Sequence, residues 1–259
     1  MSVTRTRPAD GLAWVTGASS GIGRELSLHL ARGGWRVAVT ARRADELQKL
    51  VEEGAREGLK LYAFPGDVTD RAHMRQLVEE IEAIAPIALC VMNVGTFFPD
   101  DEGVWFGDAF RKTFDVNLDG TLNGLEPLVP KMIARGKGQV AIMASVAGYG
   151  GLPRSIAYSS SKSALIVMAQ AMRFMLEPKG VGVQVICPGF VETPLTDKND
   201  FPMPFLLKVD DAARRICEGL ASDRFEIAFP RRMAWLLKAL NLLPYRAYFW
   251  LISRSTGIG

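Results

Sequence analysis

The sequence predicts a single α/β domain, a parallel sheet with helices wound onto both faces. Three observations lead there. Apolar runs of strand length alternate with longer segments of helical periodicity. The runs are apolar almost throughout, as strands covered on both sides must be. The chain has 259 residues, 48% hydrophobic and 23% charged, enough for one large core and short for two. No internal repeat, low-complexity tract or Ser/Gly linker divides residues 1–259, so one domain is expected over the whole length.

Residues 12–15 form the first apolar run and lead into the glycine-rich turn 16–23. Residues 24–31 have helical spacing and stop at Gly33-Gly34. Residues 35–40 read as a strand, 45–51 as a helix and 59–64 as a strand, which gives β-α-β-α-β. Further strands are expected at 87–92, 139–143, 182–186 and 226–229, with helical segments between them. This order is that of a Rossmann-type, doubly wound sheet, in which ligands bind beyond the carboxyl ends of the strands.

Composition narrows the function classes. With 31 basic and 28 acidic residues the formal net charge is +3, too balanced to imply nucleic acid. Cys90, Cys187 and Cys217 are far apart, show no C-x-x-C and lie in or beside apolar runs, so buried reduced thiols are expected, with no metal site. Residues 1–10 are polar and lack the apolar run of a signal peptide. A cytoplasmic location follows as the expectation.

The turn T16-G17-A18-S19-S20-G21-I22-G23 has two readings. G-x-S-x-G is a nucleophile elbow, which would make Ser19 a hydrolase nucleophile; G-x3-G-x-G is a phosphate-cradling turn at a helix N-terminus. The hydrolase needs an acid and then a histidine downstream. Only His29, on the same helix, and His73, in a surface-helix pattern, exist. The phosphate cradle is therefore preferred, with Gly17, Gly21 and Gly23 letting the chain approach a pyrophosphate.

Tyr158 and Lys162, four residues apart, share one face of the helix expected from about Ile156 to Leu176. A nearby ammonium favours a phenolate, so Lys162 is expected to lower the Tyr158 pKa and make it a usable acid and base. Ser145 follows its strand at the same sheet edge as the glycine turn, where its hydroxyl can hold a carbonyl oxygen.

Together these residues resemble the short-chain dehydrogenase/reductase family over residues 12 to about 194. T-G-x-x-x-G-x-G is matched from Thr16 to Gly23, D-V at Asp67 and Val68, the helix asparagine at Asn117, the serine at Ser145, Y-x-x-x-K at Tyr158 and Lys162, and Pro-Gly at Pro188 and Gly189, with Thr193 following. The family's N-N-A-G is here M92-N93-V94-G95, which keeps Asn93 and Gly95. The resemblance implies a catalytic set of Asn117, Ser145, Tyr158 and Lys162: tyrosine as general acid/base, serine orienting the carbonyl, lysine on the nicotinamide ribose, asparagine holding a relay water. It also implies a dinucleotide held by Gly17, Ser19, Ser20, Gly21, Ile22, Gly23, Asp67, Val68, Asn93, Gly95, Tyr158, Lys162, Pro188, Gly189 and Thr193, with Asp67 and Val68 beside the adenine.

NAD-binding proteins of this architecture place an acid about 20 residues beyond the glycine turn. Here V39-T40-A41-R42-R43 offers no acid before Asp45. A guanidinium pairs with a 2′-phosphate that a carboxylate would repel, so Arg42, with Arg43, points to NADP(H). The expected function is hydride transfer between NADP(H) and an apolar ketone, aldehyde or secondary alcohol; the alternative is a redox-silent NADPH-binding protein.

Phe97, Phe98, Tyr149, Leu152, Phe190 and Leu195 follow strand ends and are candidate substrate contacts, with residues 194–210 as a lid. The helix from Ile156 is apolar nearly all round; its spare face, with the family resemblance, suggests a homodimer or homotetramer. From Ile227 onward there is no acid, while Arg231, Arg232, Lys238, Arg246 and Arg254 punctuate an apolar extension, residues 231–259. Trp235, Leu236, Ala239, Leu240 and Leu243 share one helical face, and Pro244 should end or kink that helix. Folding of this face onto the protein is the first expectation, and contact with an anionic membrane surface the second.

Overall fold

The computed structural model describes residues 5–98, 106–198 and 203–256. Among these residues seven parallel strands form one sheet in the order β3-β2-β1-β4-β5-β6-β7. The strands are β1 (Leu12–Thr16), β2 (Arg36–Thr40), β3 (Leu61–Ala63), β4 (Ile87–Met92), β5 (Gly138–Met143), β6 (Val181–Pro188) and β7 (Glu226–Phe229). The order reverses between β1 and β4, and this switch point opens a crevice beyond their carboxyl ends.

Alternation along each strand divides the core. Leu12 and Trp14 of β1 face a layer made by α3 (Arg71–Ile84), α5 (Gly120–Arg135) and α6 (Ile156–Leu176). Ala13 and Val15 face α1 (Gly21–Arg32), α2 (Ala44–Arg56) and α7 (Val209–Leu220). Both layers are lined by buried aliphatic residues such as Met74, Leu128 and Leu165 on one side and Leu26, Leu50 and Ile216 on the other. A short helix α4 (Asp108–Phe114) runs into α5 through a π-helical turn, Asp115–Asp119. α6 has the boundaries expected from the sequence. Leu165, Ile166, Ala169 and Leu176 face the core, and Val167, Phe174 and Met175 are left exposed.

The chain closes with α8 (Arg231–Leu240) and α9 (Tyr245–Thr256). The expectation for this tail is corrected in its orientation. Met233, Ala234 and Leu237 are the side chains that pack inward, while Trp235 and Leu236 are 71% and 59% exposed. Lys238 sets the rotation: it reaches inward to pair with Glu226 of β7, which turns the neighbouring Trp235 face to solvent. Pro244 stands between the two helices, and its carbonyl accepts from the Ala247 and Tyr248 amides at 2.9 and 3.0 Å, so it opens α9. Tyr248 and Ile252 anchor α9 in the body of the protein.

Of the segment expected as a lid, residues 199–202 lie outside the described residues. Its base is a parallel bridge between Val191 and Leu207, a short helical turn occupies Thr196–Lys198, and Val209 and Asp210 already belong to α7.

Candidate active site

β1 ends at Thr16, and the chain then turns through Gly17, at φ +67°, and Gly21, at φ +55°, before α1 begins. Both angles lie in the left-handed region that glycine adopts without strain. Gly23 is needed for a different reason: a Cβ there would stand 2.4 Å from both the Asn93 Nδ2 and the Gly17 carbonyl oxygen. Asn93, just after β4, holds the turn from across the switch point. Its side chain donates to the Thr16 carbonyl at 2.9 Å and to the Gly17 carbonyl at 3.3 Å, while its amide donates to the Thr16 hydroxyl at 3.0 Å. The M-N-V-G variant thus leaves the loop fully tied, because the asparagine side chain and two backbone amides do the tying.

The turn forms one wall of a cleft of about 570 Å³. Every residue expected to hold a dinucleotide lines it: the turn from Gly17 and Ser19 to Gly23, Arg42 and Arg43 after β2, Asp67 and Val68 after β3, Asn93 and Gly95 after β4, Tyr158 and Lys162 on α6, and Pro188, Gly189 and Thr193 after β6. The arginines divide their work. Arg43 reaches back to the Ser19 hydroxyl at 3.0 Å, whereas Arg42 is largely exposed, with its guanidinium 3.9 Å from the Asp67 carboxylate. Burial pushes the Asp67 carboxyl up, but hydrogen bonds from the Thr69 amide and hydroxyl, with Arg42 beside them, hold it below the ordinary range.

Ser145, Tyr158 and Lys162 meet at the far end of this cleft. Ser145 caps a short turn by accepting the Ala147 amide at 3.1 Å, its hydroxyl donates to the Pro188 carbonyl at 3.3 Å, and it stands close enough to Tyr158 to favour the phenolate. The Lys162 Nζ donates to the Met143 carbonyl at 2.8 Å and sits 5.7 Å from the Tyr158 ring centre. The expectation that Lys162 lowers the Tyr158 pKa is corrected: burial raises the Tyr158 hydroxyl, and the neighbouring Ser145 hydroxyl only partly opposes this. Lys162 is itself brought down to about 8 by burial, and its ammonium is spent on a backbone carbonyl rather than on the phenol. Gly148 lets the serine loop lie on α6, since a Cβ there would be 2.7 Å from the Lys162 carbonyl carbon.

Asn117 is placed differently from the other expected residues. It is fully buried in the π-helical turn, one position behind Val116, which does line the cleft. Its side chain accepts the Thr96 amide at 2.7 Å and donates to the Thr96 carbonyl at 3.1 Å and the Ser161 hydroxyl at 3.0 Å. It therefore pins the loop after β4 against α6.

The residues of the chain that match a family model for short chain dehydrogenases run from 12 to 202, most of its length and every element of the cleft. The chain belongs to the short-chain dehydrogenase family. It is 35% identical to an uncharacterized oxidoreductase of Myxococcus xanthus over 90% of this chain and 92% of the relative. It is 34% identical to the 1-deoxy-11-beta-hydroxypentalenate dehydrogenase of Streptomyces avermitilis, with 83% of each chain covered. The human 17-beta-hydroxysteroid dehydrogenase 13 is 26% identical over 94% of this chain and 82% of the relative. Among solved structures, a tryptophan variant of actinorhodin polyketide ketoreductase with NADPH superposes with a TM-score of 0.77 over 87% of this chain and 97% of the other, at 24% identity, which speaks to the fold. The protein is thus an oxidoreductase of this family, acting between CH–OH and C=O.

Of the candidate substrate contacts, Phe98 and Leu195 line the cleft of this dehydrogenase. Phe97 packs edge-on against Tyr158, with ring centres 5.3 Å apart. Leu152 and Phe190 are not in the wall, and Tyr149 is turned away from it: its hydroxyl donates to Glu226 at 2.8 Å and the Lys238 ammonium lies over its ring. A buried phenol takes a carboxylate partner when one is in reach. Sequence reasoning missed Lys112, which lines the cleft from α4 beside Phe98, and the Thr96–Asn117–Ser161 connection. Ser161 had one available signal, its place directly before Lys162.

Proposed function

We propose that this dehydrogenase is an NADP(H)-dependent carbonyl reductase for apolar ketones or aldehydes. The observation that carries the reading is the gathering of Ser145, Tyr158 and Lys162 in the wall of one glycine-cradled cleft bordered by Arg42 and Arg43, with the Lys162 ammonium 5.7 Å from the Tyr158 ring centre. The residues present suit a dinucleotide: a Cβ at Gly23 would strike the Gly17 carbonyl and Asn93 and undo the cradle, and the position after β2 that an NAD enzyme gives to an acid holds Arg42. Gly17 to Gly23 would hold the pyrophosphate, Arg42 and Arg43 the 2′-phosphate, and Asp67 and Val68 the adenine. When bound, the nicotinamide supplies the hydride that reduces the carbonyl carbon.

The chain's own part is proton chemistry and positioning. Ser145 donates a hydrogen bond to the carbonyl oxygen, and Tyr158, protonated at neutral pH, delivers its proton to that oxygen as the alcohol forms. Lys162 would orient the cofactor's ribose from its seat on the Met143 carbonyl, and Asn117 holds the loop after β4 against α6. Phe98, Val116 and Leu195 supply the apolar wall. The exposed Val167, Phe174 and Met175 of α6 support assembly as a homodimer or homotetramer, and the three free cysteines support a reducing, cytoplasmic setting.

A panel of apolar and polar ketones and aldehydes, followed by loss of NADPH absorbance with NADH in parallel, tests the reading. Turnover of the apolar members with NADPH is expected. Binding of NADPH with no turnover across the panel would support the redox-silent alternative, and preference for NADH would overturn the cofactor.

A further inference from the structure

The outward faces of α8 and α9 invert the usual pattern of a surface helix. Trp235 and Leu236 on α8, Leu242 between the helices, and Tyr245, Phe249 and Trp250 on α9 are all more than half exposed, Leu242 at 87% and Tyr245 at 78%. A soluble helix normally turns polar side chains outward, and large apolar groups gathered on one surface mark a contact site. Tyr245 stacks on Phe249 with ring centres 5.9 Å apart, which makes a continuous aromatic surface on α9.

The charges on the same faces have one sign. Arg231 and Arg232 flank Trp235, and Arg246 follows Tyr245. From Ile227 to the end of the chain there is no acid. Lys238 is neutralised by Glu226, but among the described residues no carboxylate pairs with Arg231, Arg232 or Arg246. Arg254 lies 5.6 Å from the Trp250 ring centre, a cation over an aromatic face. A second copy of the chain fits this surface poorly, because a two-fold contact would set these arginines against their own counterparts with no acid between. An anionic lipid surface fits both features: headgroup phosphates meet the guanidinium groups, and tryptophan and tyrosine rings settle at the level of the headgroups. The helices lie on such a surface without crossing it, since no described helix is long and apolar enough to span a membrane.

We propose that the α8–α9 pair docks the enzyme on anionic lipid bilayers through Trp235, Tyr245, Phe249 and Trp250, with Arg231, Arg232 and Arg246 on the headgroups. The test is flotation of the full-length protein with phosphatidylcholine vesicles made with and without phosphatidylglycerol, at low and high salt. Binding only to the anionic vesicles, weakened by salt, is expected. Trp235→Ser with Trp250→Ser, and separately Arg232→Glu with Arg246→Glu, should each weaken it at least about tenfold. Both variants carry their changes on exposed side chains and should bind NADPH as the parent does, which separates this result from misfolding and from the reductase reading. No preference for anionic vesicles, or equal binding by parent and variants, would overturn the proposal. So would an oligomer, seen by light scattering, that these substitutions split while vesicles go unbound; the occupant would then be a second copy.

Discussion

At the nucleotide end of the cleft the working parts are backbone: two glycines with positive φ, a third with no room for a methyl group, and an asparagine whose side chain bonds two carbonyls of the turn. At the end proposed for the substrate they are side chains, Phe98, Val116 and Leu195, brought from three separate loops and helices. A ligand common to a whole family is recognised by main-chain geometry that tolerates little change. A ligand particular to one member is recognised by side chains that can be exchanged without disturbing the sheet. Between the two stand Ser145, Tyr158 and Lys162, which belong to both ends.

The sharpest way to break this division is at its centre. Tyr158→Phe removes the proton donor and keeps the ring, so turnover should fall by about two to four powers of ten, while NADPH binding, read by fluorescence titration, stays at the parental value. Near-parental turnover would take Tyr158 out of the chemistry.

Lys162→Met probes what the central residues cost the fold. Burial lowers the Lys162 pKa from 10.5 to about 8, so the folded state binds fewer protons than the unfolded chain between those values. Stability of the parent should therefore rise as pH climbs from about 8 to about 10.5, and below that window the buried ammonium is a burden. The methionine variant lacks this dependence. At pH 7 it should be the more stable protein by on the order of 2 kcal/mol, once a lost hydrogen bond to Met143 is allowed for, with the gain fading by pH 10.5 and turnover lost throughout. Urea melts at the two pH values check the sign.

Smaller effects separate the two ends. Arg42→Asp should weaken NADP by about tenfold to a hundredfold and leave NAD nearly unchanged, because it places a carboxylate where a 2′-phosphate would lie. Arg43→Ala should weaken both cofactors, since Arg43 braces Ser19 of the turn itself, and NADP somewhat more than NAD, since Arg43 also borders the place proposed for the 2′-phosphate. Equal losses for both cofactors at Arg42, measured by direct titration, would remove it from phosphate recognition. Last, Phe98→Ala should change KM for the ketone several-fold, roughly 1 kcal/mol, with the NADPH affinity unchanged.

The same division explains what was legible in the amino-acid sequence. Strands apolar on both faces betray themselves as continuous runs, so the sheet could be read off with errors of only a residue or two, and α6 without any. Glycine spacing reports backbone geometry directly, and all of the expected dinucleotide contacts line the one cleft. What spacing cannot report is the partner supplied by a distant element. That Tyr158 and Lys162 share a helix face was evident; that the lysine would spend its ammonium on the Met143 carbonyl was not. Tyr149 had the position of a substrate contact until Glu226, 77 residues on, claimed its hydroxyl. The tail failed in the same manner. Its hydrophobic face was visible, but only Lys238 bound to Glu226 shows that the face is turned outward.

Gly148 carries a practical consequence for changing what this enzyme accepts. With a Cβ at 148 only 2.7 Å from the Lys162 main chain, the serine loop and α6 mesh like cogs at that single tooth. Loops borrowed from a relative can be grafted only if they keep a glycine there; otherwise the tyrosine and lysine are levered out of line before any new substrate is met. The freedom to retune therefore lies in the side chains of the cleft wall, Phe98, Val116 and Leu195, and not in the backbone of the serine loop.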